Sequence, residues 1–193
     1  MNKLFITIGT LLLVGCGQQA HKNPHILIST NAGEIEVELY PEQAPKTVAA
    51  FLNYIDSGYY NNSAFYRVVL TEGLSPSSNV GLIQGGTWQT PGKPAIELPG
   101  IEHEPTSQTG LSHTTGTISL ARTTPGSANT EFFICIGDQT QFDFGKGSPA
   151  DSLGFAAFGK VSKGMTVVRA LQLRKKQGES FTPPITINKI KRL

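Results

Sequence analysis

Few side chains in this sequence sit in patterns that chemistry requires, and the most suggestive is Arg67, inside the apolar run Phe65-Tyr66-Arg67-Val68-Val69. A guanidinium offers a planar, charged fork of N–H donors that can pair with a carboxylate or stabilise an electron pair developing in a transition state. On an apolar strand the ion pair is the commoner role, so residue type and setting alone leave both open. His103 and His113, with Glu102 and Glu104 beside the first, form the one cluster of metal-ligand types. Their irregular spacing in a polar loop favours a structural or solvated role, and neither a metal nor a cofactor is expected. The sequence contains no Gly-rich phosphate loop, paired-cysteine zinc spacing or Gly-x-Ser-x-Gly elbow, which removes the usual nucleotide and hydrolase readings.

The two cysteines stand in different contexts. Cys16 follows Met1-Asn2-Lys3 and the apolar run Leu4 to Val14, which is shorter than the roughly 20 residues a bilayer span needs. This leader resembles a bacterial lipoprotein signal, which implies removal of residues 1–15 and acylation of Cys16, with residues 16–24 as lipidated cysteine and flexible tether. The alternative is an uncleaved signal anchor. Several acyl chains, each methylene contributing about 0.8 kcal/mol, would hold the protein at a membrane. Gly17 stands where lipoproteins of enteric bacteria carry aspartate for inner-membrane retention, so an outer-membrane anchor facing the periplasm is expected. Cys135 lies in Phe132-Phe133-Ile134-Cys135-Ile136, which reads as a buried strand, and no disulfide is expected.

Positioning these residues requires a core, and 193 residues with 38% hydrophobic side chains suffice for one domain. Twenty-one Gly and 12 Pro favour short strands and turns over a helical bundle. His25–Thr30 and Gly33–Tyr40 read as a hairpin, the second strand alternating charged and apolar residues. Pro41 opens a helix over Glu42–Gly58, with Val48, Phe51, Leu52 and Ile55 at helical spacing. Ala64–Leu70, Val80–Gln84, Thr117–Ala121, Phe132–Ile136, Ala156–Val161 and Ile185–Ile190 read as further strands. Met165–Lys175 reads as a second helix, packing through Val168, Leu171 and Leu173. Strands throughout with two helices predict a mainly β chain, a closed antiparallel barrel. The net charge of +2, or +1 without Lys3, gives no broad attraction for nucleic acid, and the basic residues Arg174, Lys175, Lys176, Lys189, Lys191 and Arg192 read as solvated.

Separate segments, in order over residues 25–193, resemble the cyclophilin family. Phe65-Tyr66-Arg67 and Ile83-Gln84-Gly85-Gly86 are similar to its Phe-His-Arg and Gln-Gly-Gly strands. Gly116–Arg122 and Ser127–Ile134 resemble its Gly-x-x-Ser-Met-Ala and Phe-Phe-Ile stretches. Phe142-Asp143 and Gly154–Val161, followed by Gly164-Met165, resemble its Leu-Asp and Phe-Gly-x-Val stretches. The resemblance implies an eight-stranded antiparallel barrel capped by two helices and a peptidyl-prolyl cis/trans isomerase. It further implies that Arg67 is the catalytic donor, that Leu82, Phe133, Phe142 and Phe155 line a proline pocket, and that Gln84 orients the peptide. Backbone groups near Ala121 and Arg122 are then expected to bind the carbonyl side. Strand alternation puts Phe132 in the core, opposite Phe133.

The chain departs from the family pattern at several points. Thr71–Asn79 replaces a short Pro-Gly-Phe link, with Gly81 in the place of an aromatic, so a gating or groove-extending loop and a lost pocket wall are expected. Gln141, Phe142 and Phe155 stand where well-known eukaryotic members have tryptophan, leucine and histidine, which implies weak cyclosporin binding. Glu131 replaces a glutamine and Arg122 an asparagine, placing opposite charges along the groove, either paired or tuning sequence preference. The expected partners are proline-containing unfolded or folding polypeptides and, through Cys16, a membrane; a monomer is expected. The rival readings are a proline-peptide-binding chaperone module with little turnover and a structural lipoprotein.

Overall fold

β1 (His25–Thr30) and β2 (Gly33–Leu39) pair antiparallel, Ile26 opposite Val37 and Ile28 opposite Ile35, so their apolar side chains share one buried face. The computed structural model describes residues 22–88, 90 and 96–193; the expected leader, Cys16 and the tether before Lys22 lie outside the described residues. After β2 the chain turns at Tyr40, whose carbonyl accepts from the Gln43 and Ala44 N–H groups. The first helix therefore begins later than expected, as α1 (Pro45–Asp56), with proline in the first turn where its missing N–H costs nothing. The next exposed donors, the N–H groups of Lys46 and Thr47, donate to the buried carboxylate of Glu104 at 3.1 and 2.8 Å. Past the helix, Gly58 adopts φ 72° and returns its N–H to Ile55.

The remaining elements are β3 (Ser63–Thr71), β4 (Val80–Gly86), α2 (Thr106–Thr109), β5 (Thr117–Leu120), β6 (Phe132–Ile136), β7 (Ala156–Lys163), α3 (Met165–Gln172), β8 (Lys176–Gln177) and β9 (Ser180–Arg192). Neighbours run β1-β2-β7-β5-β6-β4-β3-β9, and pairing of β9 back onto β1 closes an antiparallel barrel of eight strands. β8 adds a short hairpin to β9. Inside, Phe51 of α1 meets Phe132 and Phe158 at 5.6 and 4.9 Å between ring centres, and Phe65 meets Phe132 at 5.7 Å.

Besides α1, three more elements, α2, α3 and β9, differ from their sequence-based expectation. A third helix, the single turn α2, joins the two expected. α3 ends at Gln172, and Leu173, expected in the packing, is 53% exposed because the chain there leaves the helix for the hairpin. β9 starts at Ser180 rather than Ile185: Arg67 pairs with Ser180 and Phe65 with Ile185, so Pro183 and Pro184 fall in a bulge where the ladder asks no N–H of them.

Candidate active site

A bulge decides which way Arg67 points. On β3, Phe65 faces the core opposite Gly85, but the next matched pair is Arg67 with Gln84, so Tyr66 is an extra residue. Tyr66 and Arg67 consequently face outward together, while Val68 returns to the core. Leu82 and Gln84 alternate outward around the buried Ile83 on β4, and Phe133 and Cys135 do so around Ile134 on β6. The register sets Gln84 opposite Phe133 and Leu82 opposite Cys135.

Arg67, Leu82, Gln84 and Phe133 line a pocket of about 270 Å³ on the barrel's outer face. Its floor is three phenylalanines packed edge to face: Phe133–Phe142 at 5.7 Å, Phe133–Phe155 at 5.3 Å and Phe142–Phe155 at 5.4 Å. Leu82 and Phe133 are buried, whereas the Arg67 side chain is 44% exposed, so the pocket is apolar at its floor and open at its mouth. Val69 of β3 lines the pocket and Gly81 does not. Gly81 has φ 136°, and a Cβ there would fall 2.1 Å from the Val69 carbonyl oxygen.

The Arg67 guanidinium is held on two sides. Its Nε and Nη2 donate to one Glu179 oxygen at 2.8 and 2.6 Å, and Nη1 donates to Gln84 Oε1 at 2.9 Å. Gln84 Nε2 donates to the Tyr66 hydroxyl at 2.9 Å, which donates to Glu131 Oε2 at 2.6 Å. The other Glu131 oxygen accepts from the N–H groups of Thr87 and Trp88, both at 2.8 Å. Burial pushes the Glu131 carboxyl up and outweighs these hydrogen bonds, which pull it down.

Of the two alternatives for Glu131 and Arg122, a direct pair does not form. Arg122, its side chain almost fully buried, donates to the Gly154 carbonyl and pairs with Asp151 at 2.7 and 2.9 Å, and it lies 5.4 Å over the Phe155 ring. That pair holds the Asp151 carboxyl at about 2. Both residues line the groove's second pocket, but each is bonded to its own partners, and Arg122 braces the pocket loop. The Ala121 N–H donates to the Glu131 carbonyl at 2.9 Å, so that one backbone group is engaged within the barrel. Beyond Gln84, Ala121 and Arg122, which both spaces share, a second pocket of about 310 Å³ continues the groove past Tyr66 and Trp88, whose rings lie 5.8 Å apart.

Behind the floor, His113 stacks on Phe133 at 5.9 Å, with Nδ1 2.6 Å from Asp143 and Nε2 3.0 Å from Ser119 Oγ. The order serine, histidine, aspartate is that of a hydrolytic triad, but His113 and Ser119 are completely buried and no carbonyl can reach the hydroxyl. The arrangement fixes the plane of Phe133. Burial lowers the His113 pKa, against the pull of Asp143. Glu104 caps α1, Glu102 pairs with Lys46 and His103 meets the Leu153 carbonyl, so the suspected ligand cluster is dispersed into structural roles. Among the described residues no group of three or more potential metal ligands forms. A depression of about 370 Å³ beside Tyr40, Ser112 and Lys160 shares no lining residue with the groove pockets.

Tyr66, Trp88, Asp151 and Glu179 complete the site without having been singled out as site residues in the sequence, and His113, raised there only as a metal-ligand type, stands behind the floor. Tyr66 stands beside Arg67, which was a usable signal; Glu179 is 112 residues from Arg67 and carried none.

A family model described as cyclophilin type peptidyl-prolyl cis-trans isomerase/CLD matches residues 25–192. The chain is 35% identical over 163 residues to peptidyl-prolyl cis-trans isomerase A of Dickeya dadantii, covering 84% of this chain and 78% of the relative. It is 36% identical over 169 residues to a peptidyl-prolyl cis-trans isomerase of Acinetobacter baylyi, covering 87% and 80%. A Cryptosporidium parvum cyclophilin type peptidyl-prolyl cis-trans isomerase, crystallised in the presence of the dipeptide Ala-Pro, matches with a TM-score of 0.68 at 25% identity, covering 86% of this chain and 96% of that one. Barrel, sequence match and relatives agree that this chain is an enzyme of the cyclophilin-type peptidyl-prolyl cis-trans isomerase family.

Proposed function

We propose that this enzyme accelerates X-Pro bond rotation in exported polypeptides, with Arg67 as the donor that stabilises the twisted amide, while a lipid on Cys16 holds it at the outer membrane facing the periplasm. The observation that carries the mechanism is the Arg67 guanidinium at the rim of a phenylalanine-floored pocket. An X-Pro amide resists rotation with a barrier of roughly 18–20 kcal/mol, a timescale of about 10–100 s. Twisting removes conjugation, the prolyl nitrogen becomes pyramidal, and its lone pair turns into an acceptor absent from the planar ground state. A donor aimed there binds the transition state selectively. A guanidinium has five N–H groups, and Glu179 and Gln84 together engage three of them, which leaves one on each Nη for a substrate.

A 10⁵-fold acceleration requires about 7 kcal/mol, more than one charge-assisted hydrogen bond of about 1.5–3 kcal/mol provides. The remainder is assigned to the pocket: Phe133, Phe142, Phe155 and Leu82 hold the proline ring while the preceding residue turns, and Gln84 orients the peptide. The Ala-Pro dipeptide present with the Cryptosporidium relative supports a ligand of this size. Export and anchoring rest on the leader sequence and Cys16.

Titration of the ¹⁵N-labelled protein with an Ala-Pro peptide tests the groove assignment. Shifts are expected around Phe133, Phe142 and Phe155, and Phe133→Ala is expected to weaken binding about tenfold, as for a central aromatic anchor. Binding that maps elsewhere, or that survives Phe133→Ala unchanged, would contradict it.

A further inference from the structure

We propose that Glu179 is a positioning residue for isomerisation, fixing the plane of the Arg67 guanidinium from the β8–β9 turn; the inference rests on Arg67 being the donor. The turn is attached to the strand it serves. Val68, next to Arg67, donates its N–H to the Glu179 carbonyl at 2.7 Å, and Arg67 pairs with Ser180 in the ladder. Gly178, with φ 57°, makes the reversal that brings the Glu179 side chain over Arg67. One carboxylate oxygen takes both Nε and Nη2 at 2.8 and 2.6 Å, on the side opposite Gln84. A planar fork gripped at three nitrogens cannot rotate, so its remaining N–H groups keep one direction. Gripped by Gln84 at one nitrogen alone, the half-exposed side chain would sample several.

Glu179 acts on Arg67 in two opposed ways. Its negative charge weakens the field that the guanidinium presents to a prolyl nitrogen, while its geometry aims that guanidinium. Both side chains are substantially exposed, 44% for Arg67 and 57% for Glu179, so solvent and salt screen the charge term. Orientation is not screened in this way, and it decides the sign. Exposed ion pairs add little to stability, so the signature is a loss of turnover without a loss of fold.

The test measures kcat and KM by exchange NMR, thermal midpoints and the Arg67 Nε–H resonance in wild type, Glu179→Ala, Glu179→Gln and Arg67→Ala. Glu179→Ala is expected to lower kcat about three- to fivefold, the reach of an exposed pair, with KM and midpoint unchanged and the Nε–H resonance moved to a solvent-exchanging position. Glu179→Gln keeps an acceptor oxygen without the charge and is expected to recover most of kcat. A Glu179→Ala kcat at or above wild type, with Arg67→Ala inactive, would overturn the role of Glu179 and leave Arg67 as donor. So would a loss that Gln does not restore or that tracks a falling midpoint. Full activity in Arg67→Ala would instead remove the reading on which the inference stands.

Discussion

Tyr66 and Arg67 are neighbours on a strand, yet both face the groove, because one bulge between Phe65 and Arg67 shifts the register. Phe132 and Phe133 obey simple alternation, one in the core and one in the pocket floor. The second case was legible in the sequence and the first was not, since period-two reasoning has no term for an extra residue. His113 shows the same limit: its irregular spacing spoke against a metal site, but its place behind Phe133 depends on Asp143 and Ser119, which approach from other elements. Its titration is expected to be visible in stability. Burial depresses the His113 pKa in the fold, so the native state binds fewer protons than the unfolded chain, whose histidine titrates near 6.5. The contribution is complete above the unfolded value and is lost as pH falls below it toward the depressed one. Thermal midpoints of wild type and His113→Asn, taken at pH 7.5 and pH 5, are expected to converge at the lower pH; a constant gap would contradict this sign.

β3 and β4 are joined by residues 72–79, a loop that the sequence marked as a departure and whose path it left undetermined. The loop is tied to itself: Asn79 Oδ1 accepts from the Gly73 N–H at 2.9 Å, and Ser75 and Ser78 bond each other across a single 3₁₀ turn. None of its residues lines either groove pocket, so the expected gating or extension of the groove has no contact behind it. What the loop does require is Gly81, where β4 passes close against β3. Gly81→Ala adds a Cβ against backbone at φ 136° and is expected to destabilise the protein by about 1–3 kcal/mol, the scale of local backbone strain. Chemical denaturation measures it, and an unchanged midpoint would refute the close approach. Helix ends were less legible than strands. The donor cap of α1 comes from Glu104, 57 residues beyond Thr47, and no local signal announces it.

At the scale of the molecule, the mainly β reading followed from strand candidates spaced along the chain, and the closed barrel of eight strands agrees with it. Closure brings the end of the chain back to the start of the domain: the Leu193 N–H donates to the His25 carbonyl at 2.9 Å. Asn23 and Pro24 are already bonded to Glu38 and Leu39 of β2, so the expected tether would leave the barrel before Asn23 rather than at Pro24, and no helix among the described residues is long and apolar enough to cross a membrane. Lipid attachment is therefore tested on the cysteine itself. Cys16→Ser is expected to move the protein from the membrane to the soluble fraction while leaving peptide turnover intact; a variant that still sediments with membranes would contradict the anchor.

The most direct test of the central assignment compares wild type and Arg67→Ala, both as residues 17–193, by NMR exchange of a short X-Pro peptide with binding measured on the same samples. Exchange fast with wild type and near the uncatalysed timescale of about 10–100 s with the variant, at similar affinity, is the result expected if Arg67 supplies the transition-state donor. Equally fast exchange with both proteins would contradict it.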